Sequence, residues 1–221
     1  MKNRKIQLCV FDMDGLMLDS ESVYYLCARL CSEKYGYQIP DELILQTMGI
    51  NERETERRFL EAMGQDFPFR AFLHNEWELQ LEYMKEHPIQ PKKGLFELLD
   101  HLEEKGIRKA VATSTYRIYA TDYLKNAGII DRFDHIVYGD DLTESKPRPQ
   151  IYLKAIEPFD LPKENILAFE DSENGILSAY NAGLSVIHIP DLAQVKEETR
   201  KKCFRILKDL SEAIDVIEEI E

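Results

Sequence analysis

The chain is poor in cysteine, glycine and proline, short of positive charge, and without a long uninterrupted apolar run. Each shortage excludes a class of protein. Four cysteines in 221 residues, with no CxxC pair, supply neither a disulfide framework nor a zinc ribbon. Cys27 and Cys31 are spaced to share a helix face, but no nearby histidine completes a zinc site, so the cysteines read as buried thiols. Ten glycines and nine prolines are scattered, leaving no low-complexity linker and no fixed-period repeat. A net charge of −13 argues against nucleic acid as a partner, because a phosphate backbone needs a positive footprint. An anionic ligand must therefore be neutralised locally. Nowhere do about 18 apolar residues follow one another, so no membrane span is expected. The opening MKNRKIQLCVFDMDG is basic at its start, but its short apolar run leads into acidic residues and not into a cleavage site. A cytoplasmic protein is expected.

What is present is a folded core's worth of apolar residues, 44% hydrophobic against 31% charged. IQLCVF at 6–11 is a short run rich in β-formers that stops abruptly at Asp12 and Gly15, the pattern of a buried strand delivering a loop. AVAT at 110–113, HIVY at 135–138, ILAF at 166–169 and LSVIHI at 184–189 repeat it. Helical patterns lie between them: LFELLDHLEEKG from 95, a stretch N-capped after Ser114 and ending at Asn126-Ala-Gly128, and NGILSAYNAG at 174–183. This alternation predicts an α/β fold, a doubly wound parallel sheet with helices on both faces and ligands at the carboxyl ends of its strands. Residues 20 to about 86 break the rhythm with almost wholly helical patterning. They read as an inserted α-helical domain, jointed after Leu18 and at HPIQPKKG, 87–94, and able to close over a site.

Four segments carry chemistry. Asp12-Met13-Asp14-Gly15 sets two carboxylates at a strand end beside a residue that lets the backbone turn. Glu170-Asp171-Ser172-x-Asn174-Gly175 does the same late in the chain. On neighbouring strand ends these clusters converge, and converging acids repel without a cation. Asp12 and Asp171, with a main-chain carbonyl and waters, suit octahedral Mg²⁺. Thr113-Ser114-Thr115 reads either as an oxyanion site at a helix N-terminus or as a plain N-cap. Lys146, in ESKPRP, offers a fixed cation for a phosphoryl group in flight.

In this order and spacing, FDMDGLMLDS at 11–20, ATST at 112–115, SKPRPQIY at 145–152 and FEDSENG at 169–175 resemble the four signature motifs of the haloacid dehalogenase superfamily of phosphohydrolases. The likeness spans nearly the whole chain. It implies a Rossmann-like catalytic core at 1–19 and 88–221 and a helical cap at 20–87, where one subgroup of the family carries its cap. It also implies that Asp12 is the nucleophile and Asp14 the general acid and base. Ser114, Thr113 and Lys146 would hold phosphate, and Asp12, Asp14, Glu170 and Asp171 would serve Mg²⁺. The expected substrate is a small phosphomonoester, a sugar phosphate or nucleotide-like metabolite, hydrolysed through a phosphoaspartate by a monomeric enzyme.

Two rivals remain at this stage. A β-phosphoglucomutase shares all four motifs, but where its pattern has a histidine twelve residues after the nucleophile this chain has Tyr24. Where its cap has Gly-x-x-Arg, this chain has Gly49-Ile50-Asn51-Glu52 with Arg53 one place later. Both departures favour hydrolysis. A non-catalytic receiver-like phospho-acceptor also combines Asp, Thr or Ser, and Lys around Mg²⁺, but it has no place for Asp14, the Glu170-Asp171 pair or the helical insert. Trp77, Tyr24, Tyr25 and Phe72 could face substrate or belong to the core. Arg53, Arg57 and Arg58 could reach an anion or pair with Glu52, Glu54 and Glu56 on a solvated face. The five histidines show no ligand spacing.

Overall fold

β1 (Leu8–Phe11) is four apolar residues buried on both faces, and its side chains alternate between two cores. Leu8 and Val10 pack on one side of the sheet, Cys9 and Phe11 on the other. The computed structural model describes residues 5–48, 50, 52–192 and 194–220. After β1 come four helices, α1 (Ser20–Tyr35), α2 (Asp41–Gln46), α3 (Glu52–Met63) and α4 (Phe69–Glu86). The alternating part follows as α5 (Leu95–Glu104), β2 (Arg108–Ala112), α6 (Arg117–Asn126), β3 (His135–Val137), α7 (Gln150–Ile156), β4 (Ile166–Glu170), α8 (Glu173–Asn181), β5 (Ser185–His188), α9 (Glu197–Arg200), β6 (Arg205–Ile206) and α10 (Glu212–Ile220).

The strands form one parallel sheet in the order β3-β2-β1-β4-β5-β6. The fold class expected from the alternation is the one observed. The chain winds outward from β1 through β2 to β3, then returns to place β4 on β1's other flank. At such a reversal the loops leaving the strands splay apart and open a crevice. β6 was not expected: its two residues are exposed and charged or isolated, too short for a periodic signal.

Residues 20–86 build an aromatic core of their own, with Phe59, Phe69 and Phe72 buried beside Ala28, Cys31 and Ile44. The Phe59 and Phe72 rings lie 5.2 Å apart. Trp77 and Met84, on the last of these helices, pack instead into the core beneath the sheet. The two chain crossings into this segment run side by side. The Asp19 N–H donates to the Gln90 carbonyl at 2.9 Å, and the Lys92 N–H to that of Met17 at 2.8 Å. Cys9, Cys27 and Cys31 are buried free thiols, as the sequence led us to expect. No helix among the described residues is long and apolar enough to cross a membrane.

Candidate active site

β1 and β4 are adjacent and in register, so the residues that follow their last apolar positions emerge together. Asp12 leaves β1, its N–H donating to the Phe169 carbonyl at 3.1 Å, while Glu170 closes β4 and Asp171 follows it. Ligand oxygens of Asp12, Glu170 and Asp171 lie within 4.8 Å of one another, and all three residues are buried. Glycine makes this approach possible at two points. A Cβ on Gly15, which holds φ +76°, would meet Asp171 Oδ2 at 2.6 Å, and one on Gly175 would meet the Glu170 carboxylate at about 2 Å.

Lys146 reaches into the cluster from the loop before α7, its Nζ 2.5 Å from Asp12 Oδ1 and 2.6 Å from Glu170 Oε1. Burial works against the ammonium, but its two carboxylate partners prevail and raise its pKa, so it stays charged. Glu170 is held further by the Tyr152 hydroxyl, which donates to Oε1 at 2.6 Å. Asp12 and Asp171 are both pushed well above the carboxylate range, first by burial; the charges of Glu170 and Asp14 add to it at Asp12 and those of Asp12, Glu170 and Glu21 at Asp171, with Lys146 acting in the opposite sense at both.

Asp14 faces elsewhere. Its side chain lies outside the group formed by Asp12, Glu170 and Asp171. Its Oδ1 accepts from Ser20 Oγ at 2.6 Å, and its Oδ2 from Thr115 Oγ1 at 2.7 Å and Thr113 Oγ1 at 3.2 Å. Thr113 is fully buried, with its hydroxyl turned to Asp14. Residues 113–115 also precede the helix they were expected to cap: α6 begins at Arg117 with Tyr116 as its N-cap. The loop is pinned to the end of β3, where the Gly139 N–H donates to the Thr115 carbonyl at 2.9 Å. Ser114, half-buried, lines the cavity beside Asp12.

The charges around Asp12 leave a deficit that a divalent cation fits. Three buried carboxylates face one ammonium, and all the donors are hard oxygens, the set Mg²⁺ selects. A second observation points the same way. Both carboxylate oxygens of Glu21 and Oδ2 of Asp191 are buried without a hydrogen-bond partner, and they group with Asp171 within 4.8 Å. Burial and then the charges of Asp14 and Asp191 push Glu21 up to about 7. Lys92, 2.7 Å from Asp191 Oδ1, balances one charge of this corner, and further positive charge or water relieves the rest.

Above these groups opens a cavity of about 170 Å³, where a single water occupies roughly 10–15 Å³ on the same measure. Its floor is Asp12, Asp14, Lys146 and Asp171, and its walls come from α1, α4 and the loop before α6. Of the aromatic candidates, Tyr24 and Trp77 line it, whereas Phe72 and Tyr25 belong to the helical segment's own core. Arg57 and Arg58 are paired with Glu54 on the surface. Sequence reasoning missed Ser20, Thr115, Tyr152, Glu21 and Glu76. The first three lie inside the quoted motifs, and a hydroxyl near an essential acid was the available signal. Glu76, on a helix, gave none.

A family model described as haloacid dehalogenase-like hydrolase matches residues 9–189, which spans the sheet from β1 through β5. The chain belongs to that family. Among curated relatives of this hydrolase is the phosphorylated carbohydrates phosphatase of Thermotoga maritima, 33% identical over 83% of this chain and 84% of that one. The (DL)-glycerol-3-phosphatase 2 of Arabidopsis thaliana is 30% identical over 82% and 78%. Among solved structures, CbbY from Rhodobacter sphaeroides in complex with phosphate superposes with a TM-score of 0.82, at 28% identity, over 94% of this chain and 96% of that one. A haloacid dehalogenase-like hydrolase with this floor has the parts of a phosphoric monoester hydrolase.

Proposed function

We propose that this enzyme is a Mg²⁺-dependent phosphatase that hydrolyses the phosphomonoester of a small hydroxylated metabolite through a phosphoaspartate on Asp12. The observation that carries the reading is the division of labour between two carboxylates two residues apart. Asp12 sits in a charged cluster with Lys146, and Asp14 sits among hydroxyls. Asp12 faces the fixed charge that meets phosphate, and Asp14 is oriented by three hydroxyls, which fits the two tasks of nucleophile and general acid and base.

In the first half-reaction an Asp12 oxygen attacks phosphorus, and the ester P–O bond breaks as Asp14 gives its proton to the leaving oxygen. In the second, Asp14 takes a proton from water as that water attacks the same phosphorus. The acyl phosphate bond then breaks and Asp12 returns as carboxylate. One difficult displacement becomes two easier ones. Lys146 and the Ser114 side of the loop hold phosphate oxygens, and Ser20 and Thr115 orient Asp14. Asp12, Asp171 and Glu170 would hold Mg²⁺, with Asp14 offering its main-chain carbonyl. When bound, the ion neutralises phosphate charge and aligns it for displacement.

Residues 20–87 act in this reading as a cap over a core formed by 1–19 and 88–221, with the paired crossings near Leu18 and Pro91 as its hinges. Hydrolysis is favoured over phosphosugar transfer by Tyr24 at the place of the mutase histidine; its hydroxyl stands 3.5 Å from Thr47 Oγ1 in the cavity wall. Of the Gly49-Ile50-Asn51-Glu52 segment, Gly49 and Asn51 lie outside the described residues. The names of the relatives agree with the reading, since the Thermotoga maritima protein is named for phosphorylated carbohydrates and the Arabidopsis thaliana protein for glycerol 3-phosphate. The test is phosphate release from a panel of sugar, polyol and nucleoside phosphates. Turnover with Mg²⁺ that EDTA abolishes reversibly and Asp12→Asn removes supports the reading, and unaltered release after either treatment overturns it.

A further inference from the structure

Charge is distributed over this cavity in a way that phosphate binding does not account for. Among the described residues six carboxylates line it, Asp12, Asp14, Glu21, Glu52, Glu76 and Asp171, against a single cation, Lys146. Lys146 is already engaged by Asp12 and Glu170 at the floor. Among the described residues the wall that would meet the leaving group offers no unpaired positive side chain, since Arg70, which pairs with Glu52, is also tied to Glu56. An anionic group on the far side of the substrate would be buried there with no free cation to pair with.

The same wall offers hydrogen bonds in a fixed chain. Gln80 Nε2 donates to Glu76 Oε1 at 2.5 Å, and the Tyr123 hydroxyl donates to Gln80 Oε1. Glu76, Gln80 and Tyr123 are each at most 5% exposed, and all three line the cavity. The Gln80 amide is thus fixed by its neighbours and holds the Glu76 carboxyl in one orientation. Burial pushes Glu76 up to about 8, so near neutral pH it carries a proton and both donates and accepts. Trp77 stands over the chain with its ring 4.4 Å from that of Tyr119 and 5.4 Å from that of Tyr123. Aromatic edges beside fixed hydrogen-bonding groups suit the C–H faces and hydroxyls of a polyol or sugar.

We infer that the Glu76–Gln80–Tyr123 chain, with Trp77 and Tyr119, is a subsite that reads the hydroxyls of a neutral leaving group and rejects substrates bearing a second anionic group. The inference rests on the phosphatase reading and adds a charge filter to it. It also bears on phosphosugar transfer, which must hold a sugar with phosphate at both ends and so would set its second phosphate against a wall without a free cation. A cationic leaving group is the competing occupant, because aromatic rings and acids also suit an ammonium.

The experiment compares kcat/KM for sorbitol 6-phosphate and 6-phosphogluconate, which differ in a terminal CH₂OH against a carboxylate, with phosphocholine and p-nitrophenyl phosphate as further arms. The expected preference for the neutral substrate over the acidic one is at least about 100-fold, a ratio of the size set by an unpaired charge in a dry site. Equal or better use of 6-phosphogluconate, or a preference for phosphocholine, overturns the inference while leaving a phosphatase in place. Failure to release phosphate from p-nitrophenyl phosphate and all the others overturns the phosphatase reading and the inference together. Glu76→Ala should lower the ratio of kcat/KM for sorbitol 6-phosphate to that for p-nitrophenyl phosphate about tenfold, and Glu76→Gln should restore most of it. The fraction of folded enzyme cancels in that ratio. A ratio within twofold of the wild type in Glu76→Ala sinks the assignment.

Discussion

The floor of the cavity and its helical wall solve opposite electrostatic problems with the same residue type. At the floor, Asp12, Glu170 and Asp171 are crowded by sheet register and face Lys146, so charge there is present and partly balanced. On the wall, Glu76 is buried with an amide and a phenol for company and no cation, and burial alone pushes it up. The floor's acids meet the phosphoryl group beside a fixed cation, whereas Glu76 on the wall meets only neutral groups. The contrast also explains where sequence carries information. Floor residues come from short loops after strands and are contiguous in the chain, and wall residues are single positions on helix faces.

Removing the floor's cation is the most severe way to test that contrast. Lys146→Ala should lower kcat by about 10²–10³-fold, since it removes a fixed charge beside the transferring phosphoryl group. Steady-state phosphate release at saturating Mg²⁺ measures it, and a loss under threefold would mean the floor does not depend on that charge. Thr115→Val should have a smaller effect, about tenfold in kcat. It deletes one of the hydroxyls that orient Asp14 and leaves the three-acid group untouched.

How far the chain could be read in advance follows from the same division. The parallel sheet was legible because β1, β2, β4 and β5 are short apolar runs ending at turn residues, and because the helices between them stop at glycines such as Gly128 and Gly183. The family was legible because its four motifs are local. What escaped was orientation. Nothing in Asp12-Met13-Asp14 says that one carboxylate turns toward Glu170 and the other toward Ser20 and Thr115, since this depends on side-chain packing around the loop. Nor does the sequence say that the Thr113 hydroxyl is buried and donates to Asp14. Glu76 stands in HNEWELQ, where a charged residue on an amphipathic helix is ordinarily solvent-facing, and only the packing of α4 against α1 and α6 encloses it.

The wall's distinctive chemistry should also register in stability, apart from any effect on turnover. Glu76 ionises near its model-peptide value of 4.5 in the unfolded chain but near 8 when folded, so between those pH values the folded state binds the extra proton. Stability at this residue therefore falls as pH rises from about 4.5 through 8. Glu76→Gln removes the dependence and should raise the melting temperature at pH 8 by roughly 10 °C relative to its effect at pH 5, on the order of 3 kcal/mol at this chain size. Parallel melting curves of the two proteins across this range would deny Glu76 its raised pKa.

The account stands on covalent chemistry at one side chain, and that can be trapped. Enzyme quenched in acid during turnover and reduced with borohydride converts an aspartyl phosphate to homoserine, which peptide mass spectrometry locates. Homoserine at position 12, appearing only when both substrate and Mg²⁺ are present, is the predicted result. Homoserine at another acid, or none while phosphate is released in a burst, would contradict it.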